Sequence, residues 1–137
     1  LAANQSIGEI VELWKSSPFE TLPTIDSYLE GSLKLVETSG TPDQNAIRTM
    51  HAKAMTGASS ADKAFGTIVF SEYASSFISW NREQQKQFRL GQKAYANAGA
   101  AIKAKRFDDA LTAGQDCVAK AQPLGDWWGT AMGYSAI

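Results

Sequence analysis

The chain has 137 residues, 44% hydrophobic and 20% charged, the make-up of a folded globular protein and not of a disordered segment. Thirteen basic against fourteen acidic residues leave a net charge of −1, so the basic excess that nucleic acid or an anionic membrane requires is missing. No run approaches the ~20 apolar residues of a membrane-crossing helix, and a single cysteine, Cys117, excludes an intrachain disulfide.

The lone cysteine tilts the compartment slightly toward the cytoplasm and leaves the periplasm open. The opening Leu1-Ala2-Ala3 reads equally as the remnant of a cleaved leader or as the place where a piece of a longer protein begins. Ser6 and Glu9 then form a capping-box pattern, and Ile7, Ile10, Val11 and Trp14 follow at helical spacing. Ser16-Ser17-Pro18 ends that first helix. Pro23 is expected to prevent a continuous helix across 17–30. The second helix should therefore start near Thr24, with Ile25, Tyr28, Leu29, Leu33 and Val36 on its buried face.

Gly40 closes the second helix. Thr41-Pro42-Asp43-Gln44 opens the third, with Thr41 as the cap and the proline in the first turn. Its apolar face, Ala46, Ile47, Met50, Ala54 and Gly57, is mostly small and lets another helix come close. Ser59-Ser60 is expected to cap a fourth helix that carries the bulk: Phe65, Ile68, Val69, Tyr73, Phe77 and Trp80. Thr67-Ile68-Val69-Phe70 has strand-favouring residues, yet its apolar neighbours keep a helical period, so it reads as helix.

Asn81 with Gln84 marks the fifth start, and Phe88, Gly91, Ala94, Tyr95, Ala98, Ala101 and Ile102 carry that helix to about Lys105. The sixth runs from about Phe107 to Ala121, where Pro123 and Gly125 break it. Asp126 caps a seventh, Trp127 to Ile137, still amphipathic when the sequence stops. The chain is therefore expected to be a fragment of a longer helical array.

A periodicity links the last three helices. Ala94, Ala98 and Ala101 recur as Trp127, Ala131 and Tyr134, an offset of 33 (from 94 to 127). A period of roughly 34 residues with two helices per unit marks a helical repeat. Trp127, Thr130-Ala131 and Tyr134 match the first-helix signature of the tetratricopeptide repeat in reduced form. Arg106-Phe107-Asp108-Asp109-Ala110 looks like the opening of its second helix, with Cys117 at the small position seven residues on. Residues 94–137 thus resemble the tetratricopeptide repeat family. Ala98, Ala110 and Cys117 are small where helices must touch, and Phe107 and Trp127 are expected to fill the spaces between them. Three positions depart from the family pattern: Ala94 replaces a bulky residue, Gly114 an aromatic, and Gln122 the closing proline, which comes one residue late at Pro123. Residues 1–80 match only as alternating helices.

The expectation is an all-α single domain over 1–137, about seven helices in antiparallel hairpins. Residues 1–80 form divergent hairpins, and 81–137 a tetratricopeptide-like unit plus the first helix of another. The resemblance implies a right-handed array that binds a protein or peptide in a concave groove, a scaffold or docking function with no enzymatic activity and no cofactor. Arg48, Lys53, Asn97 and Lys103 are the polar candidates for that groove. Trp127-Trp128 point about 100° apart on a helix, so one is expected to be internal and the other to pack on a neighbour or serve as an aromatic anchor. Self-association through this last helix is one way to cover it. The rival reading is a small-molecule binder whose fourth-helix aromatics line a closed apolar pocket.

Catalytic and metal chemistry find little support. His51 is the only histidine, and Ala54 and Met55 stand where metal-binding partners would be needed. Cys117 has no histidine at helical spacing and reads as a packed small residue. The acidic pairs Glu9/Glu12 and Asp26/Glu30 read as solvated helix faces. Gly129 to Gly133 resembles no phosphate loop.

Overall fold

The computed structural model describes residue 1 and residues 4–137; the Ala2-Ala3 part of the expected leader remnant lies outside the described residues. Among the described residues the chain is all helix, with no strand. The order is α1 (Ile7–Ser16), α2 (Pro18–Thr38), α3 (Gln44–Phe65), α4 (Val69–Ser79), α5 (Arg82–Lys103), α6 (Phe107–Ala121), a 3₁₀ turn (Gln122–Leu124) and α7 (Trp127–Ser135). These form two compact units, Leu1–Ile78 and Ser79–Ile137.

The N-terminal caps form largely where the sequence signals them. Ser6 Oγ accepts from Glu9 N–H while the Glu9 carboxylate accepts from Ser6 N–H, a complete capping box for α1. Asn81 and Gln84 repeat it for α5. Asp126 caps α7 by accepting from Gly129 N–H at 2.8 Å. The cap of α3 is Asp43, not Thr41: its carboxylate accepts from Asn45 and Ala46. A carboxylate one residue before the first turn displaces the Thr41 hydroxyl two residues further out.

Two expected breaks are absent. Pro23 lies inside a continuous α2. It is exposed, so the Phe19 carbonyl that loses its helical partner is on the outer side, where water replaces the bond. Ser59-Ser60 lies inside a continuous α3. The Ser60 hydroxyl donates back to the Thr56 carbonyl at 2.8 Å and caps nothing. The fourth helix therefore begins only at Val69, and Phe65, Ile68 and Val69 are exposed instead of buried. Tyr73 and Phe77 do bury as expected, and Trp80 is buried after the end of α4.

In the first unit, α3 packs on both α1 and α2. Trp14 is buried on α1, its indole N–H donating to the Gly57 carbonyl at 3.0 Å. A Cβ at Gly57 would sit 3.3 Å from Ile25, so α2 comes close at the same point. Tyr73 of α4 donates to Asp26 of α2 at 2.5 Å. Ile10, Ile25, Leu29 and Leu33 fill the interior.

In the second unit, α6 packs between α5 and α7. The α5–α6 contact runs through Gly91, whose Cβ would meet Lys120 at 3.6 Å, and through Gln87, which donates to the Lys120 carbonyl. Carried along an antiparallel pair, that register sets Ala94 level with Cys117 and Ala101 level with Ala110. The α6–α7 contact is tighter. A Cβ at Gly133 would lie 2.7 Å from Val118 Cγ2 and 3.0 Å from its backbone nitrogen. The Trp80 and Phe88 rings meet at 5.0 Å with their planes tilted by 39°, and the Trp80 indole donates to the Leu124 carbonyl.

The repeated face has a different register from the one the sequence suggests. Ala94, Ala98 and Ala101 are buried, but at the offset of 33 Trp127 is half-buried and Ala131 and Tyr134 are exposed. The face that α7 turns to α6 is Gly129, Gly133 and Ala136. It repeats the α5 face at an offset of 35 (94 to 129, 98 to 133, 101 to 136). Small residues, not aromatic ones, carry the correspondence. Phe107 likewise fills no internal space; it is exposed at the start of α6, where α7 does not reach.

Candidate functional site

The expected site residues fall on both units. Arg48 and Lys53 lie on α3, with Arg48 exposed and the Lys53 ammonium 5.7 Å from the centre of the Tyr28 ring. They are five positions apart on the helix, about 140° around the axis, so they do not share a helix face. Asn97 and Lys103 are exposed on α5, six residues and about 120° apart. Trp127 and Trp128 are both half-buried, so neither is the wholly internal residue the sequence leads one to expect.

The titratable groups with altered environments do not converge. His51 is half-buried on α3, and its Nε2 lies 3.0 Å from Ser32 Oγ. Ser32 Oγ also lies 2.7 Å from the Leu29 carbonyl, and the imidazole tautomer sets whether Nε2 donates to Ser32 or accepts from it. Burial lowers the His51 pKa below its ordinary 6.5. Cys117 is on α6, its thiol donating to the Gly129 carbonyl at 3.4 Å, so it faces the start of α7. Burial first, then the Asp126 and Asp116 carboxylates, raise its pKa and keep it a thiol. Among the described residues no group of three or more His, Cys, Asp or Glu is placed to hold a metal ion.

What the structure does assemble is an apolar end on the first unit. The antiparallel register of α2 and α3, with Ile25 beside Gly57 and Gly31 beside Met50, brings the start of α2 and the end of α3 to one end. Phe19 stands there 93% exposed and Ile68 64% exposed, and Phe65 and Val69 are exposed on either side of Ile68 in sequence. Phe19 shares this open outer face of α2 with Glu20, Pro23, Thr24 and Ser27.

This end is held in place by one carboxylate. Gly66 takes the left-handed conformation (φ +66°) and closes α3, its N–H and that of Thr67 donating to the Asp62 carbonyl. The Asp62 side chain meanwhile accepts from the backbone N–H of Phe70 and Ser71, at 3.0 and 3.1 Å, and from the Ser71 hydroxyl. It caps α4 from the preceding helix. Ile68 and Val69 are thus displayed from a braced turn.

Sequence reasoning missed Phe19 and Ile68 as surface residues for identifiable reasons. With α2 continuous from Pro18, Phe19 falls about 120° from Ile25 on the helical wheel, away from the buried line Thr21, Ile25, Leu29 and Ser32. A helix starting only after Pro23 does not include Phe19, and Ile68 precedes by one residue the start of α4 at Val69. The Asp62 cap has no local signature, because its partners are eight and nine residues away.

No known protein family matches the chain, and comparison with curated proteins and with solved structures gives no match. No helix among the described residues is long and apolar enough to cross a membrane.

Proposed function

We propose that the chain is a helical docking domain that binds a protein or peptide partner, with the apolar end of the first unit as its contact surface. The observation that carries this reading is the exposure of Phe19 and Ile68 at one end, beside the Asp62-braced turn. Large apolar side chains held in water by a rigid backbone cost solubility and are retained where a partner covers them. A braced turn also loses little conformational freedom on binding.

The tetratricopeptide-like arrangement belongs to this proposal for residues 94–137. It is supported by three consecutive helices in which α6 packs on both neighbours, and by the small-residue face that recurs at an offset of 35. The 22-residue α5 is long beside the 15-residue α6, a departure from even repeats. Arg48, Lys53, Asn97 and Lys103 remain candidates for additional polar contacts; their spacing around α3 and α5 argues against one continuous polar stripe.

Selection from a displayed peptide library tests the proposal. Enriched peptides should bind the intact chain and lose at least tenfold in affinity to a Phe19→Ser/Ile68→Ser variant of unchanged helicity. Peptides that bind both proteins equally, or no enrichment over a scrambled library, would overturn it.

A further inference from the structure

The balanced charge of the whole chain hides a division between its units. Residues 1–78 hold nine acidic and five basic side chains, and residues 79–137 hold five acidic and eight basic. Much of the second unit's excess lies on α5, which carries five basic residues and one acidic, Glu83. Arg82, Lys86, Lys93, Asn97 and Ala100 fall within about 60° of arc on that helix, and all five are exposed. They lie opposite the buried face of Gly91, Ala94 and Ala98 that packs on α6. Arg82 to Lys93 spans about 16 Å along the axis. Arg89 borders the line, its guanidinium 5.6 Å from the centre of the Phe88 ring.

This line departs from the rest of the charged surface. Lys15, Arg106 and Lys120 each pair with a carboxylate three or four residues away in sequence. On α5 only Lys86 does so, with the exposed Glu83 at 3.0 Å, a contact that water and salt leave weak. Arg82 donates to the neutral Gln85 side chain. The acidic residue nearest Lys93 in sequence is Glu83, ten positions back. Like charges one turn apart weaken a helix, so Arg82 and Lys86 side by side work against α5 itself.

We infer that this line is a second binding surface, for an acidic segment of a partner protein that lies along α5 with its carboxylates against Arg82, Lys86 and Lys93. Charge complementarity sets the sign of the partner. The shape of the line sets its class. Ala96 and Ala100 are exposed and small, so a peptide backbone can come close beside Asn97, whose amide can both donate to it and accept from it. No aromatic residue stands on the line to stack a base, and the phosphates of a long nucleic acid would meet a chain of net charge −1. The apolar end of the first unit does not depend on these charges, so the two surfaces can fail separately.

Fluorescence anisotropy of a labelled glutamate-rich peptide of about 15 residues, titrated with the 137-residue chain, tests it. Saturable binding is expected at about 0.05 M salt and should weaken at least about tenfold at about 0.5 M. Arg82→Gln/Lys86→Gln/Lys93→Gln, all exposed in the folded chain, should leave far-ultraviolet dichroism unchanged and weaken binding at least about tenfold. Lys15→Gln/Lys34→Gln/Lys63→Gln removes the same charge from exposed positions of the first unit and should bind like the parent. Absence of binding at low salt would overturn the inference. So would equal losses in the two variants, binding indifferent to salt, or tighter binding of an oligothymidylate of the same length.

Discussion

Large side chains fill the first unit, with Trp14, Ile25, Leu29, Leu33 and Tyr73 all at most 2% exposed, whereas glycine and alanine line the α5–α6 and α6–α7 contacts of the second. The first unit also ties its interior with directed polar bonds, Trp14 to the Gly57 carbonyl and Tyr73 to Asp26. The second has its bulk at one place, the tilted Trp80–Phe88 pair, and otherwise relies on close backbone approach. The difference predicts opposite sensitivities. A core of large residues is weakened by removing atoms, and a seam of small residues by adding them.

The strongest test of this contrast is Trp14→Ala. It should cost about 3–5 kcal/mol, since it empties a buried volume and leaves the Gly57 carbonyl without its donor. Urea denaturation followed by circular dichroism measures it, and a loss below about 1 kcal/mol would show that the first unit does not depend on this anchor. On the other side of the contrast, Gly133→Ala adds one methyl and should still cost about 1–3 kcal/mol, because the new atom meets Val118 backbone as well as its side chain. An unchanged midpoint would mean that α7 slides on α6 and that the seam is not tight.

A smaller effect of opposite sign is expected at the α5–α6 turn. Three helix ends close through a left-handed residue, at Gly66, Lys105 and Gly125, and in each the N–H that follows donates to a carbonyl five residues back. Only Lys105, at φ +58°, pays for a side chain there. Lys105→Gly should therefore stabilise the chain by about 1 kcal/mol, read as a raised denaturation midpoint. Gly66→Ala and Gly125→Ala should do the reverse.

The smallest effect is a pH dependence confined to the first unit. The folded pKa of His51 is lowered by burial, so the unfolded chain binds the extra proton more readily. This contribution is complete above the unfolded value of about 6.5 and is lost as pH falls from there through the lower folded value. Thermal midpoints at pH 7.5 and 5 should show the drop in the parent and a smaller one in His51→Gln. An equal drop in both would remove His51 as its source.

The same contrast explains what the sequence makes legible. The second unit is read almost residue by residue, because its signals are local: Asn81 with Gln84, the run from Phe107 to Ala121, and Asp126 before the last helix. The error there is one of register. Aromatic spacing at 33 draws attention, while the packing follows glycine and alanine at 35, where there is little side chain to notice. In the first unit the misreadings arise where a local rule meets tertiary context. Pro23 breaks nothing because its lost bond faces water, and Ser59-Ser60 caps nothing because α3 is buried on both sides of it at Ala58 and Ala61. The apolar end was hidden by both misreadings together, since each removed one of its residues from the helix that displays it.

Asp62 also has a kinetic consequence. Its carbonyl receives the amides of Gly66 and Thr67, and its carboxylate those of Phe70 and Ser71. The last turn of α3 and the first turn of α4 are therefore latched by one residue. Unravelling the last turn of α3 moves the whole residue and releases both sets, whereas rotation of the Asp62 side chain releases the α4 amides alone. Hydrogen–deuterium exchange should find the Phe70 and Ser71 amides no better protected than those of Gly66 and Thr67, and Asp62→Ala should accelerate exchange on the α4 side of the turn more than on the α3 side, where the backbone carbonyl remains.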